Sequence, residues 1–306
     1  MFECIESVVE KLHSTSPFFS IEVNPKLSAK LQDENIEELK SFDLIDAFVI
    51  TDSPLARFKP SSIISSIKLQ NILQKPTICT LSMRDRNQIA LCGDILAANE
   101  LGLRLFLILT GDSTKNSDCE CVKSVFEGNY SKLATIIDDL NNGIAINKKH
   151  LIQKPQKIYY FAVINSYANK EQAIEKKILK KLSSNNINAL YSQPIFSKDR
   201  AEFLLSSINK ANALYGTNTA LVLGFFVITS YKTAIFLRDK LPGIYIPDKW
   251  IESLYIASKK GVEEEQKVGL ELSLKLFDDL KTIHNKFHLM SRKPSILRHF
   301  IKKPLA

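Results

Sequence analysis

The runs TICTLS at residues 77–82 and RLFLILTG at residues 104–111 decide the fold class. Each is a nearly continuous series of apolar and β-branched residues, which is typical of a strand buried on both faces of a parallel sheet. Between them, apolar residues recur at helical spacing from Asn87 to Leu101. A strand, a helix and a second strand in this order predict a right-handed crossover between parallel strands.

The same unit recurs in both directions along the chain. Further strands are predicted at 18–24 (FFSIEVN), 46–51 (DAFVIT), 158–165 (IYYFAVIN), 189–195 (ALYSQPI), 220–227 (ALVLGFFV) and, more weakly, 287–290 (FHLM). Helices are predicted over Ser61–Leu73, Ser131–Leu140, Lys170–Leu182, Ala201–Ala213 and, as one long element, Lys249–Ile283. Eight such units predict one α/β domain over 1–306, a (β/α)8 TIM barrel with its core at about 16–292 and a basic tail over 292–306. An open doubly wound sheet is the alternative, but no GxGxxG follows the first strand.

The amino-acid composition and the charge of the chain exclude some classes of protein. Hydrophobic residues make up 45% of the 306 residues, which excludes disorder, and no apolar run is long enough to span a membrane. The start of the chain lacks the pattern of a signal peptide, so we expect a cytoplasmic protein. The net charge of +8 suits a small anionic ligand as well as nucleic acid, and no nucleic-acid motif accompanies it.

The cysteines and histidines do not predict a metal site. Cys79 and Cys92 lie in apolar runs and are expected to be buried thiols, and the close pair Cys119 and Cys121 has no second pair to complete a metal site. His288 falls near the end of the last predicted strand, where we expect a structural use.

Candidate site residues follow from the rule that barrel enzymes place function at the carboxyl ends of their strands. Glu22 is the first of them, flanked by apolar neighbours in the first strand. A carboxylate there is costly to ionise, which suits a general acid near neutral pH. A structural ion pair with a lysine or arginine of the barrel is the alternative, and the residues alone leave both readings open.

Two later strand ends carry further candidates, each with an alternative. Gly111 would let a ligand approach the backbone beside Asp112, although a helix-capping or turn aspartate fits equally well. Arg84 precedes a predicted helix N-terminus, which suits phosphate binding. In the alternative, this is an ordinary charged loop in which Asp85 pairs with a neighbouring arginine and Asn87 caps the helix.

At this point the motifs resemble a known family. FSIEVNP (19–25), LSMRDRN (81–87) and GDILAANELGLRLFLILTGD (93–112) are similar to signature segments of methylenetetrahydrofolate reductases, of the flavin-dependent bacterial type. IDAFVITDSPLARF (45–58), YSQPIFS (191–197) and LPGIYIPDKW (241–250) follow in the family's order. The family fold is a flavin-binding (β/α)8 barrel, which agrees with the independent count of strands.

The resemblance implies an oxidoreductase that reduces 5,10-methylenetetrahydrofolate to 5-methyltetrahydrofolate in methionine metabolism, with FAD as cofactor and NAD(P)H as electron donor. Glu22 would be the general acid, Asp112 would act in catalysis and contact both flavin and folate, and Gln193 would bind the pterin. The remaining flavin-side positions are Thr51, Thr80, Arg84, Asp85, Thr110 and Gly111. Assembly into a homo-oligomer is left open.

This chain departs from the family pattern at several positions. Thr80 stands where many members have histidine, Ser197 stands where the TQPxFD-like motif ends in aspartate, and the segment around Asn129 and Tyr130 is irregular. These departures favour a second hypothesis, a non-catalytic folate- or flavin-binding homologue that serves a larger methyl-transfer or electron-transfer assembly. A third, a nucleic-acid-binding protein, rests on charge alone.

Overall fold

A computed structural model describes residues 3–27, 33–125, 127–183, 186–241 and 243–301. Eight parallel strands form a closed barrel in which each strand pairs with its neighbours in sequence. They are β1 (Phe18–Val23), β2 (Ala47–Ile50), β3 (Thr77–Ser82), β4 (Leu105–Leu109), β5 (Tyr159–Ile164), β6 (Ala189–Pro194), β7 (Ala220–Phe226) and β8 (Lys286–Met290). β8 pairs with β1 and closes the barrel. The predicted (β/α)8 barrel and all eight of its strands are confirmed.

Helices surround the strands. They are α1 (Glu3–His13), α2 (Asp33–Lys40), α3 (Ser62–Leu73), α4 (Gln88–Glu100), α5 (Tyr130–Asn141), α6 (Glu171–Leu182), α7 (Lys198–Tyr215), α8 (Tyr231–Lys240), α9 (Asp248–Ser258) and α10 (Val262–Lys281). Short 3₁₀ helices lie at Pro54–Ala56, Thr114–Asn116 and Pro294–His299.

The single long helix predicted over Lys249–Ile283 is wrong. The segment forms α9 and α10, which are separated near Gly261, a residue with a φ of 127°. That conformation is open to glycine and strained for other residues, so the chain turns there instead of continuing one helix. The helices α1, α2 and α8 were not predicted.

The interior of the barrel is filled by alternate residues of the strands. One buried cluster contains Phe18, Val49, Leu107, Phe161 and Tyr191, and it continues into α1 through Ile5, Val8 and Leu12. The intervening strand residues pack outward against the other helices. α1 therefore covers the amino-terminal end of the barrel.

A buried lysine holds α1 in this place. The Nζ atom of Lys286 donates hydrogen bonds to the carbonyl oxygens of Lys11, Ser14 and Ser16, at 3.2, 2.8 and 2.9 Å. These carbonyls belong to the last turn of α1 and the segment after it, where a cation is favourable.

Packing on the core extends beyond the predicted limits of 16–292. α1 lies before residue 16, and Leu297 and Phe300, beyond residue 292, are buried against the outer layer. Cys79 and Cys92 are buried, as predicted.

Candidate functional site

The barrel opens to solvent at the carboxyl ends of its strands. Glu22, Leu109, Val163, Gln193 and Phe226 are each partly exposed, whereas the residue two positions earlier in each strand is fully buried. These five side chains lie at the end of the barrel opposite α1, and we call this opening the mouth. A ligand that reaches the barrel interior would enter here.

Glu22 lies at the mouth beside a histidine. Its Oε2 atom is 3.8 Å from Nε2 of His288, and Nδ1 of the same ring is 3.0 Å from Oγ of Ser20. The Glu22 side chain keeps 34% of its exposure, while His288 is almost entirely buried. The imidazole is thus held from one side by Ser20 and presents its other nitrogen to the carboxylate.

The position of His288 follows from closure of the barrel. In the β1–β8 ladder Ser20 is paired with His288, so the imidazole reaches the carboxylate two residues further along β1. We expected a structural role for His288. Its contact with Glu22 could have been anticipated from its place in the last strand, because in a closed barrel the last strand adjoins the first.

Tyr191 lies below this pair in the barrel interior. Its ring centroid is 5.6 Å from that of His288, in an edge-on arrangement. Burial raises the pKa of the Tyr191 phenol, so it remains protonated. Glu22 therefore provides the acidic group among these side chains. The imidazole of His288 and the hydroxyl groups of Ser20 and Tyr191 lie deeper in the barrel.

Asp112 lies exposed near the start of the loop that follows β4. Its Oδ2 atom accepts a hydrogen bond of 2.6 Å from the backbone N–H of Leu55, in the loop after β2. Gly111 before it has a φ of 102°, and a Cβ atom there would lie 2.8 Å from Cβ of Arg84. Both the conformation and the lack of space require glycine.

The loop after β2 holds unusual backbone conformations. Ser53, Leu55 and Ala56 have φ angles of 43°, 57° and 56°, in the left-handed region that is costly for residues other than glycine. The bond from Leu55 to Asp112 and a second bond of 3.1 Å from Phe58 N–H to Asp118 fix this loop to the loop after β4. Strain of this kind is commonest at functional sites.

Arg84 and Asp85 are paired with each other. Arg84 is buried and donates from Nε and a terminal nitrogen to the two Asp85 oxygens, at 2.7 and 2.5 Å, and to the carbonyl of Ser53 at 3.2 Å. The side chain of Asn87 accepts from the N–H of Ala90 and caps α4. This is the charged-loop arrangement given above as the alternative, so phosphate binding by Arg84 would require the ion pair to open.

The threonines predicted on the flavin side differ in environment. Thr51 and Thr80 are buried, and among the described residues the Thr51 hydroxyl has no hydrogen-bond partner. Thr110 is exposed, and its hydroxyl accepts a bond of 3.4 Å from the N–H of Tyr130. A buried hydroxyl without a protein partner suits a hydrogen bond to a bound molecule.

A buried amine that was not predicted lies between α6 and the start of α5. Nζ of Lys181 is 3.1 Å from the centroid of the Tyr130 ring, at the start of α5. Burial, and secondly the nearby charge of Lys177, lower the pKa of Lys181 to about 7. This burial could not be predicted, because Lys181 belongs to a lysine-rich helix whose sequence is typical of a solvated surface.

Gln193 projects from an irregular part of the barrel. The β6–β7 register shifts between Tyr191 and Pro194, and such a bulge re-aims a side chain. Ser166 donates to the carbonyl of Gln193, and the N–H of Gly224 donates to Oγ of Ser192 at 2.8 Å. A Cβ atom on Gly224 would lie 2.3 Å from the carbonyl oxygen of Ser192, so the close approach of β6 and β7 depends on this glycine.

The predicted site residues thus all follow or lie in the carboxyl halves of β1 to β4 and β6, around one mouth. Throughout the described ranges, no cluster of three or more histidine, cysteine, aspartate or glutamate side chains could hold a metal ion. Cys119 and Cys121 are exposed. In the part of the chain that the structure covers, no helix combines the length and apolarity that crossing a membrane requires.

Comparison with known proteins agrees with this geometry. An uncharacterized protein from Clostridium thermocellum that binds two copies of 5-methyl-5,6,7,8-tetrahydrofolic acid has a similar structure, with a TM-score of 0.65, 15% identity and 96% of each chain covered. EDTA monooxygenase from Chelativorans sp. BNC1 is similar with a TM-score of 0.53 and 11% identity, over 93% of this chain and 91% of that one. These likenesses support the fold alone.

Sequence comparison goes further than the fold. A search of curated proteins finds no match. The sequence profile of methylenetetrahydrofolate reductase matches residues 7–303, nearly the whole chain. The chain belongs to the methylenetetrahydrofolate reductase family.

Proposed function

We propose that the protein reduces 5,10-methylenetetrahydrofolate to 5-methyltetrahydrofolate in the cytoplasm, with electrons from NAD(P)H, as a step of one-carbon and methionine metabolism. The observation that carries the proposal is the carboxyl group of Glu22 at the mouth, 3.8 Å from His288. Membership of the family supports the choice of folate as substrate.

Glu22 acts as the proton donor. In its protonated form it gives its proton to the folate nitrogen whose bond to the bridging carbon breaks, which opens the five-membered ring and leaves an iminium ion. Hydride transfer to that carbon then completes the methyl group. His288, held by Ser20, lies beside the carboxylate that remains and can stabilise it or return a proton to it.

Asp112 and Gln193 bind and orient the folate. Gln193 offers both a donor and an acceptor in its carboxamide, which suits the edge of the pterin ring. Asp112 keeps one carboxylate oxygen on the N–H of Leu55, and its second oxygen is available to the ligand. A polar side chain held by the protein loses less freedom when a ligand binds.

Residues of the mouth also fit a flavin, which supplies the hydride when bound. The buried Thr51 hydroxyl offers a hydrogen bond, and Thr80 lies in the neighbouring strand. Arg84 and Asp85 are part of the same rim, and their mutual ion pair would have to open for Arg84 to hold the phosphate end.

A non-catalytic folate-binding protein is the second candidate. The observation that favours it is the ion pair of the buried Arg84 with the partly exposed Asp85, which occupies the guanidinium assigned to the cofactor. The Clostridium thermocellum protein, which binds two copies of 5-methyltetrahydrofolic acid, offers a precedent for folate binding on this fold. Such a protein would serve a larger methyl-transfer or electron-transfer assembly.

A visible absorption spectrum of the purified protein separates the two candidates. A flavin spectrum that bleaches when 5-methyltetrahydrofolate is added without oxygen would support the reductase, because the folate step then runs in reverse. A protein that binds 5-methyltetrahydrofolate but stays colourless with added FAD would refute the reductase and favour the folate-binding candidate.

A further inference from the structure

We propose that Asn165 is a substrate-binding residue, and that its carboxamide and that of Gln193 together bind one cyclic amide edge of the ligand, as in the pyrimidinone ring of a pterin. This inference rests on the proposed folate site and adds a second polar group to it. The family motifs in the sequence did not single out Asn165.

Strand register brings the two carboxamides together. The last pair in the β5–β6 ladder is Ile164 with Ser192. Asn165 and Gln193 are the next residues of the two strands, and both are half-buried at the mouth. Asn165 and Gln193 each lie two positions beyond Val163 and Tyr191, the last inward-facing pair of this ladder, and so both follow it at the mouth.

Gly243 shows how close the two carboxamides are. A Cβ atom on this glycine would lie 2.4 Å from Oε1 of Gln193 and 2.9 Å from Nδ2 of Asn165. Both carboxamides therefore lie against the backbone of Gly243, in the segment between α8 and α9. The glycine has a φ of 84°, and its carbonyl accepts a 3.2 Å bond from the N–H of Tyr167.

The chemistry of the pair selects a class of ligand. Each carboxamide offers an N–H donor and a carbonyl acceptor. The pyrimidinone edge of a pterin presents an amino group, a ring N–H and a carbonyl side by side. One carboxamide can pair with two neighbouring groups of that edge, so a second carboxamide is needed to satisfy the third. A site built to pair with such an edge discriminates against ligands that lack it, because its polar groups are then left unpaired.

Binding of 5-methyltetrahydrofolate to the full chain, measured by calorimetry, tests the inference. Asn165→Ala and the similarly sized Asn165→Leu should each raise the Kd by about 3- to 10-fold, the loss expected for one hydrogen bond. Gly243→Ala should raise it at least as much, because the new methyl group displaces both carboxamides. Asn147→Ala, in the turn before β5 on the amino-terminal side, is the control and should leave the Kd unchanged.

A purely structural role would not produce the same pattern. If both carboxamides bind one ring edge, the effects of Asn165→Ala and Gln193→Ala should be non-additive in the double variant, with thermal stability unchanged. In turnover, Asn165→Ala should raise KM for the folate more than it lowers kcat. An unchanged Kd in both Asn165 variants, with a weakened one in Gln193→Ala, would overturn the inference and leave the proposed function intact. Tight folate binding without turnover would refute the reductase, while the Kd values would still decide the role of Asn165.

Discussion

Nε2 of His288 lies 3.8 Å from a carboxylate oxygen of Glu22, across the junction of the last and first strands. Glu22 belongs to β1 and His288 to β8, so the contact forms only where these two strands adjoin. The other ring nitrogen of His288 is held by Ser20, so the orientation of the imidazole is set before any ligand arrives. At 3.8 Å the two groups are close but not hydrogen-bonded, so a small side-chain shift or one bridging water would connect the imidazole to the carboxyl group.

Glu22→Gln should abolish the folate reaction and spare the flavin. Glutamine keeps the shape of the side chain but has no proton to give, so we expect a loss of about 10²- to 10⁴-fold in the rate of folate reduction. Bound flavin, followed by its visible spectrum, should be unaffected. Folate reduction at the wild-type rate in this variant would refute the assignment of Glu22 as the acid.

His288→Asn should have a smaller effect on the same step. The variant removes the ring nitrogen that faces Glu22, and we expect the folate half-reaction to slow by roughly tenfold, as for the loss of one interaction with a charged group. Thermal unfolding and the visible spectrum of bound flavin should stay at the wild-type level. A merely structural histidine would instead lower stability and leave the rate of folate reduction by the folded protein as it was.

Substitutions at Asp112 should separate charge from loop anchoring. Asp112→Asn keeps an oxygen that accepts the N–H of Leu55, whereas Asp112→Ala loses that bond. We expect Asp112→Asn to slow folate reduction with a smaller effect on flavin reduction by NAD(P)H, and Asp112→Ala to loosen the loop after β2 as well. Rapid-mixing measurements of both half-reactions test this, and equal losses in Asp112→Asn would contradict the role in folate reduction.

Much of the fold could be predicted from the sequence because strands buried on both faces are read directly from apolar runs. The ends of helices were harder to predict. The apolar pattern runs on from α9 into α10, and only the backbone conformation at Gly261 separates the two helices. α1, α2 and α8 were not predicted, although the apolar periodicity of α1 and α2 is stronger than that of the predicted helices α3 and α4.

The position of Glu22 and Gln193 at the mouth could be predicted, because each lies near the end of a single strand. Their roles are proposals. The site was not predicted where two distant strands or helices combine. His288 is informative only once β8 adjoins β1, and Asn165 only once β5 is in register with β6. Lys181 looks like any surface lysine until α6 packs beside the start of α5.

Lys181→Met should stabilise the protein most at neutral pH. The pKa of Lys181 falls from 10.5 to about 7 on folding. Between these values the unfolded chain binds the extra proton, so the penalty from Lys181 is complete below about pH 7 and fades as the pH rises to about 10.5. The gain in the free energy of unfolding of the variant, measured with urea, should shrink over that range. Lys176→Met, on the exposed face of α6, should show no such trend.

Two glycine substitutions should move stability in opposite directions. Gly111→Ala places a methyl group 2.8 Å from Cβ of Arg84 at a φ of 102°, and we expect a loss of roughly 1–3 kcal/mol in the free energy of unfolding. Gly93, exposed within α4, has no atom within 4 Å of a new Cβ, so Gly93→Ala should add about 0.5–1 kcal/mol. Chemical unfolding of both variants checks the pair, and similar shifts in both would contradict the close approach at Gly111.

The closure of the barrel by β1 and β8 has a consequence for synthesis of the protein. Ser20 and His288 are separated by 268 positions, so a growing chain on the ribosome exposes the unpaired edge of β1 until β8 has been translated. Glu22 gains its imidazole neighbour at the same moment. A nascent chain that stalls before β8 therefore exposes an unpaired edge of β1. Its Glu22 also lacks the His288 side chain that lies beside it in the folded protein.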